Sequence, residues 1–237
     1  MSKWSDIKMY ELSIPIGINT PPWPTYEPLQ MKFFKRLAPN GANGQLLTHS
    51  NHVGTHLDGP LHFDTAGRDI ASLELTKLCA PGAVVDLSDQ AEDWGIYTPQ
   101  DIEKRVEVKE GDILIINTGY HKFGWDSPNA DERRYMLRHP GPSLDFIDWV
   151  RAKKIKWIGV DCGSADHPMN TKIRDWEPME AKACDAVFQK RYGKTLNEVY
   201  PWPEHYQAMH IELFCKPYEA IHAEGLGGEI DKLSNKR

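Results

Sequence analysis

Three short apolar runs stand out along the chain. They are GAVVDLS at 82–88, GDILIINTGY at 111–120 and KWIGVD at 156–161. Runs of this length, rich in β-branched residues and bounded by Gly and Asp, predict buried strands. KMYELSIPI at 8–16 and YEAIHAEGL at 218–226 predict two more. Between them the apolar period changes. In SLDFIDWVRAKK, 143–154, Leu144, Ile147 and Val150 recur at helical spacing behind Ser143 as cap. Thr98-Pro99 before DIEKRV supplies an N-cap and a proline at the first helical position. EPMEAKACDAVFQKRYG, 177–193, predicts a helix that ends at Gly193. LELTKL at 73–78 predicts part of a short helix, and PEHYQAMHIELF at 203–214 a further one. TPPWPTYEP at 20–28 has too many prolines for regular structure. Strands and helices interleave, which predicts the α/β class. Some neighbouring strands have no helix between them, so a mixed sheet with flanking helices is expected. No repeat or low-complexity linker divides residues 1–237, which predicts one domain.

Composition narrows the function. The chain has 237 residues, 40% hydrophobic and 26% charged, which is ordinary for a soluble protein that buries its own core. A net charge of −6 disfavours a nucleic-acid partner, because phosphate binding calls for a basic surface. No run reaches the ~18 apolar residues of a membrane span. The start, MSKWSDIKMYEL, lacks the apolar stretch of a secretory signal. Cys79, Cys162, Cys184 and Cys215 are scattered and form no CxxC pair. That speaks against a zinc knuckle or a disulfide framework and for reduced thiols in a cytoplasm.

The chemistry concentrates in NHVGTHLDGPLHF, 51–63. Residues 49–62 hold four of the ten histidines (His49, His52, His56 and His62), where a random spread puts about 0.6. A helix would send Asp58 away from His52, and Gly54, Gly59 and Pro60 oppose a helix here. On an extended segment, positions 52, 54, 56 and 58 share one face. His52, His56 and Asp58 then converge, Gly54 leaves room between them, and Pro60 turns the chain so that His62 approaches from another angle. Two imidazoles and one carboxylate with open positions suit a divalent ion. The competing reading is a polar strand edge whose histidines bond backbone. His49 and Thr55 fit structural roles, with Thr55 a candidate to orient a carboxylate.

His52-Val-Gly54-Thr55-His56-Leu-Asp58-Gly-Pro60-Leu-His62 resembles the HxGTHxDxPxH signature of the cyclase family, which includes kynurenine formamidases (arylformamidases) and isatin hydrolases. Every fixed position matches. ELSIPI, WIGVDCGSAD and AEGLGGEID resemble family landmarks in the expected order, over most of the chain. The resemblance implies a swivelling β/β/α domain, usually a homodimer or a tetramer of dimers. It implies that His52, His56 and Asp58 bind a first divalent metal and that His62 is the catalytic base or proton shuttle. It also implies a second metal in the formamidases, shared by the motif aspartate and held by a later His and Glu. Here His210 and Glu224 match best, with His205 and His222 as rivals. Isatin hydrolases of the family work with one manganese. One or two ions of Zn2+ or Mn2+ are therefore expected.

The expected activity is hydrolysis of a small amide, formamide or lactam, possible because such an ion lowers the pKa of its water from 15.7 to about 7. His62 would take a proton and return it to the leaving nitrogen, help typically worth ~10²–10⁴ in rate. No GxSxG elbow suggests a covalent nucleophile. Alternatives are lactone hydrolysis, a cyclase or dehydratase reaction, and a non-enzymatic metal-stabilised domain. The last normally closes its ion with four ligands, often Cys. Trp23 and Tyr26, on the proline-rich loop, are candidates to line a pocket for an aromatic or cyclic substrate. His167, after the strand at 156–161, is a further substrate-binding candidate, although Asp161, Ser164 and Asp166 around it also suit turn formation. Cys162 reads as a small buried hydrophobe, and WEPMEAKACDAVF and YPWPEH as an insertion that could shape substrate choice, with their tryptophans as packing residues.

Overall fold

The computed structural model describes residues 6–237, so the first five residues of the chain start considered above lie outside it. Nine strands follow in chain order: β1 Gln30–Lys35, β2 Gly44–Thr48, β3 His56–Asp58, β4 Gly82–Asp86, β5 Ile96–Tyr97, β6 Ile113–Asn117, β7 Gly141–Pro142, β8 Trp157–Val160 and β9 Ile221–Glu224. The central sheet has the order β3-β9-β8-β6-β4. Its last four strands run parallel, and β3 closes the edge antiparallel to β9. β1 and β2 form a separate antiparallel hairpin, and β5 and β7 a short parallel pair. The architecture is mixed α/β with helices on the flanks.

The apolar runs become central strands because both faces of the sheet are covered. On one face Ala83, Val85, Leu114, Ile116, Ile158 and Val160 pack with Phe146, Ile147 and Val150 of the helix Phe146–Lys153. On the other, Val84, Ile113 and Ile115 pack with Ala223, Leu226 and Ile230. Alternation along β4 and β6 feeds both layers, which leaves no polar face to mark them. The helix Pro99–Glu103 starts at Thr98, whose side chain accepts from the Asp101 amide while Asp101 returns a bond to the Thr98 amide. The helix Pro178–Tyr192 ends at Gly193, which adopts φ +65°.

Several expectations are corrected. Residues 8–16 form no strand. They run as a strap held at Leu12 and Glu11, whose carbonyls accept from Gly227 and Glu229. Pro15 lacks the amide N–H that a strand ladder there would need. The helix expected from Ser143 begins at Phe146, and the Ser143 hydroxyl turns to Asp145 instead of capping. The helix expected over 203–214 shrinks to a π-helical turn, His210–Phe214. The β1-β2 hairpin had no clear period-2 signal, because Phe33, Phe34, Leu46 and Leu47 all remain exposed. Among the described residues no helix is long and apolar enough to cross a membrane. All four cysteines are free, and Cys162 and Cys184 are buried.

Candidate metal centre and substrate cleft

The antiparallel edge of the sheet builds the site. β3 and β9 pair in a register that sets His56 opposite Glu224 and Asp58 opposite His222. Residues two apart on a strand share a face, so all four side chains point the same way. Each strand thus contributes a His-x-acid tripeptide, HLD on one and HAE on the other.

His52 arrives differently. It lies before the strand, where its carbonyl accepts from Trp23 at 3.0 Å and Pro22 bridges Val53. Gly54 turns the chain with φ +67°. This turn packs so closely on Gly225 that a Cβ on Gly225 would lie 2.6 Å from the Gly54 oxygen. Thr55 ties the two turns to the strap: its hydroxyl donates to the Gly225 carbonyl at 2.5 Å and accepts from the Ile14 amide at 2.9 Å. It does not orient a carboxylate.

The donor atoms form two groups that share Asp58. His52 Nδ1 is 3.1 Å from His56 Nε2 and 3.1 Å from Asp58 Oδ1, and His56 Nε2 is 3.5 Å from that same oxygen. On the other side, Asp58 Oδ2 is 3.2 Å from His222 Nε2, which is 3.0 Å from Glu224 Oε1. That Glu224 oxygen is 3.6 Å from His210 Nε2. Ligands at 2.0–2.2 Å around a tetrahedral ion stand about 3.3–3.6 Å apart, so both groups have the spacing of a coordination shell. Asp58 offers one oxygen to each.

Hydrogen bonds behind the rings fix which nitrogen is free. His56 Nδ1 lies 2.9 Å from the Gly54 carbonyl oxygen, so the proton is on Nδ1 and the Nε2 lone pair faces Asp58 and Glu224. His210 Nδ1 lies 2.5 Å from Asp166 Oδ2. Asp166 also accepts from the Met209 and His210 amides, which holds the π-helical turn and aims His210 Nε2 at Glu224. A lone pair facing carboxylate oxygens calls for a cation between them. The donor set therefore fits a divalent metal, and the anchoring of the His56 and His210 rings matches the usual support of metal-binding histidines.

Charge follows the same logic. Burial alone would raise the pKa of Asp58, yet His222, His52 and His56 hold it well below the usual carboxylate range. Burial likewise opposes ionisation of Glu224, and His222 and His210 reverse that. For His210, burial is outweighed by the Asp166 hydrogen bond and the nearby Glu224 carboxylate, and the pKa is pushed up to about 10. His62, on the short turn Pro60–His62, differs. Burial lowers its pKa to about 4. Its ring centre lies 4.2 Å from that of His52 at a tilt of 33°, with Nε2 3.9 Å from Asp58 Oδ2.

A cleft of about 240 Å³ opens onto these groups. Trp23 and Tyr26 line it, with Phe63, Trp176, Lys172 and Gln207. Tyr26 meets the His52 ring at 5.2 Å. Phe63, Lys172 and Gln207 were not singled out from the sequence, and Trp176 was read there as a packing residue. Phe63 alone had a signal, as the aromatic that follows the motif. His167 is not brought to the cleft: its ring is 1% exposed and packs on Tyr200 and Phe188, 5.0 and 5.6 Å away, with Nδ1 accepting from Met169. His205 is exposed and is not one of the clustered donors, whereas His222 joins them. His49 is exposed, with its ring against the Ser50 carbonyl.

The sequence matches the family described as "Putative cyclase" over residues 10–167, about two thirds of the chain. The chain belongs to the cyclase family. Cyclase-like protein 1 of Arabidopsis thaliana is 32% identical over 241 residues, 92% of this chain and 82% of the relative. A kynurenine formamidase of Bacillus anthracis is 28% identical over 172 residues, 72% of this chain and 73% of the relative. Among solved structures, isatin hydrolase A from Ralstonia solanacearum superimposes with a TM-score of 0.71. That match covers 98% of this chain and 83% of the other at 17% identity, a likeness of fold. The cyclase-family fold is thus shared along nearly the whole chain.

Proposed function

We propose that this cyclase-family chain is a metal-dependent hydrolase of a small amide, formamide or lactam, working as a single domain over residues 1–237. The observation that carries the reading is the β3-β9 register. It gathers His56, Asp58, His222 and Glu224 on one face, at coordination spacing, at the foot of an aromatic-lined cleft. The kynurenine formamidase and isatin hydrolase relatives support the amide and lactam class.

His52, His56 and Asp58 hold the first ion in this reading, and His210 and Glu224 with Asp58 offer a second place. A Zn2+ or Mn2+ ion supplies Lewis acidity toward the substrate carbonyl and makes water a nucleophile at neutral pH. The chain's own residues do the rest. Trp23 and Tyr26 hold a flat substrate against the donor groups. His62 borders the cleft beside His52 and carries the proton from the attacking water to the leaving nitrogen. Asp166 keeps His210 in place.

Self-association into a dimer or tetramer belongs to the same reading. Phe33, Phe34, Leu37, Leu46 and Leu47 leave the β1-β2 hairpin and its turn apolar and exposed, a surface that a second copy would cover. The free thiols accord with a cytoplasmic location. The test is to load the protein with Zn2+ or Mn2+ and assay N-formylkynurenine, isatin and a panel of amides, lactams and lactones. Expected is opening of an amide or lactam that stops with chelator. A loaded, folded protein that opens none of them overturns the reading.

A further inference from the structure

We infer that His222 takes the place of a second cation, so that the centre holds one metal ion per chain. The inference rests on the reading of His52, His56 and Asp58 as an ion site and concerns what lies beside it.

A second ion would have to share Asp58 Oδ2 and Glu224 Oε1. His222 Nε2 already stands between them, 3.2 Å from the first and 3.0 Å from the second. Those distances suit either of two arrangements. In one, His222 is a ligand and its Nε2 lone pair points at an ion. In the other, Nε2 carries a proton and donates to both carboxylates.

The rear of the ring decides. A ligand histidine using Nε2 must carry its proton on Nδ1. His56 and His210 each have an acceptor there, the Gly54 carbonyl and the Asp166 carboxylate. His222 has none. Its Nδ1 is buried without a hydrogen-bond partner among the described residues, in a ring that is 0% exposed and stacks on Phe214 at 4.1 Å. An N–H placed there loses its bond to water and gains nothing. A lone pair left unpaired there is the milder case. The proton therefore belongs on Nε2, where it has two acceptors. The N–H points its positive end at the carboxylate oxygens and occupies the path by which an ion would reach them both. Asp58 then commits only Oδ1 to a metal.

The test is metal stoichiometry. The protein is incubated with excess Zn2+ and, separately, Mn2+, then desalted and analysed by mass spectrometry of the metals. The expected result is one ion per chain for the wild type and two for His222→Ala, a doubling caused by removing a side chain. Two ions in the wild type with one in His222→Ala would make His222 a ligand and overturn the inference. One ion in both would also overturn it, since another feature then excludes the second ion. No ion in the wild type would instead defeat the metal reading above, and this inference with it. If His222→Ala does not fold, the long-range ¹H–¹⁵N spectrum of the metal-loaded wild type decides. A proton on Nε2 of His222 supports the inference, and a proton on Nδ1 overturns it.

Discussion

Thr55→Val tests how the two motif turns are held together. The hydroxyl donates to the Gly225 carbonyl and accepts from the Ile14 amide, so one side chain joins the motif loop, the end of β9 and the strap. Valine keeps the shape and removes both bonds. Each loss is worth about 1 kcal/mol for a neutral, partly buried bond, giving a destabilisation of about 2 kcal/mol. For a chain of this size that lowers Tm by about 4–8 °C. The strap keeps its bonds from Gly227 and Glu229, so it loosens locally at Ile14 and does not detach. Urea unfolding gives the stability, and amide exchange at Ile14 gives the local effect. A variant within about 0.5 kcal/mol of wild type, with unchanged exchange at Ile14, refutes the reasoning.

Other expectations follow from the same geometry. His62→Ala keeps its metal and loses ~10²–10⁴ in kcat, because the ring borders the cleft and its lone carboxylate contact is 3.9 Å long; loss of metal would make it a ligand. Asp166→Asn weakens the support behind His210; a 10–100-fold drop in metal affinity identifies His210 as a ligand, and unchanged affinity goes with the single-ion arrangement. His121 tests pH. Burial opposes its charge, but the Asp161 bond and the charges of Asp161 and Asp231 outweigh that and raise its pKa above 6.5. A raised folded value stabilises fully below the unfolded pKa and fades as pH rises through the folded one. The stability gap between wild type and His121→Gln should therefore shrink on going from acid to alkaline pH, and a constant gap would refute the assignment.

Much of the centre was legible because its chemistry is local. His52, His56, Asp58 and His62 lie within eleven positions, and strand alternation brings His56 and Asp58 to one face. His52 joins them by another route, through the left-handed turn at Gly54. The second group was harder to see. His210 and Glu224 could be named by resemblance, but the place of His222 depends on the pairing of β9 with β3, a contact across more than 160 residues. The two His-x-acid tripeptides were the signal. The central strands were plain because both faces are buried, whereas the strap over 8–16 alternates like a strand yet pairs with no other. Trp176 reads as packing in a helical segment. It lines the cleft only because a short helix, Ile173–Trp176, presents it there. His167 has the right neighbours in sequence, but its ring turns into the aromatic cluster of Phe188 and Tyr200.

The central claim is that the histidine–carboxylate centre holds a divalent ion that makes the chain an amide hydrolase. The most direct measurement is hydrolysis of an N-formyl anilide or a lactam by the wild type and by His56→Ala, before chelation, after it, and after metal is restored. The account predicts turnover that vanishes with chelator and returns with Zn2+ or Mn2+ in the wild type, and none at any stage in the variant. Turnover that persists in the chelated protein, or in folded His56→Ala, would contradict it.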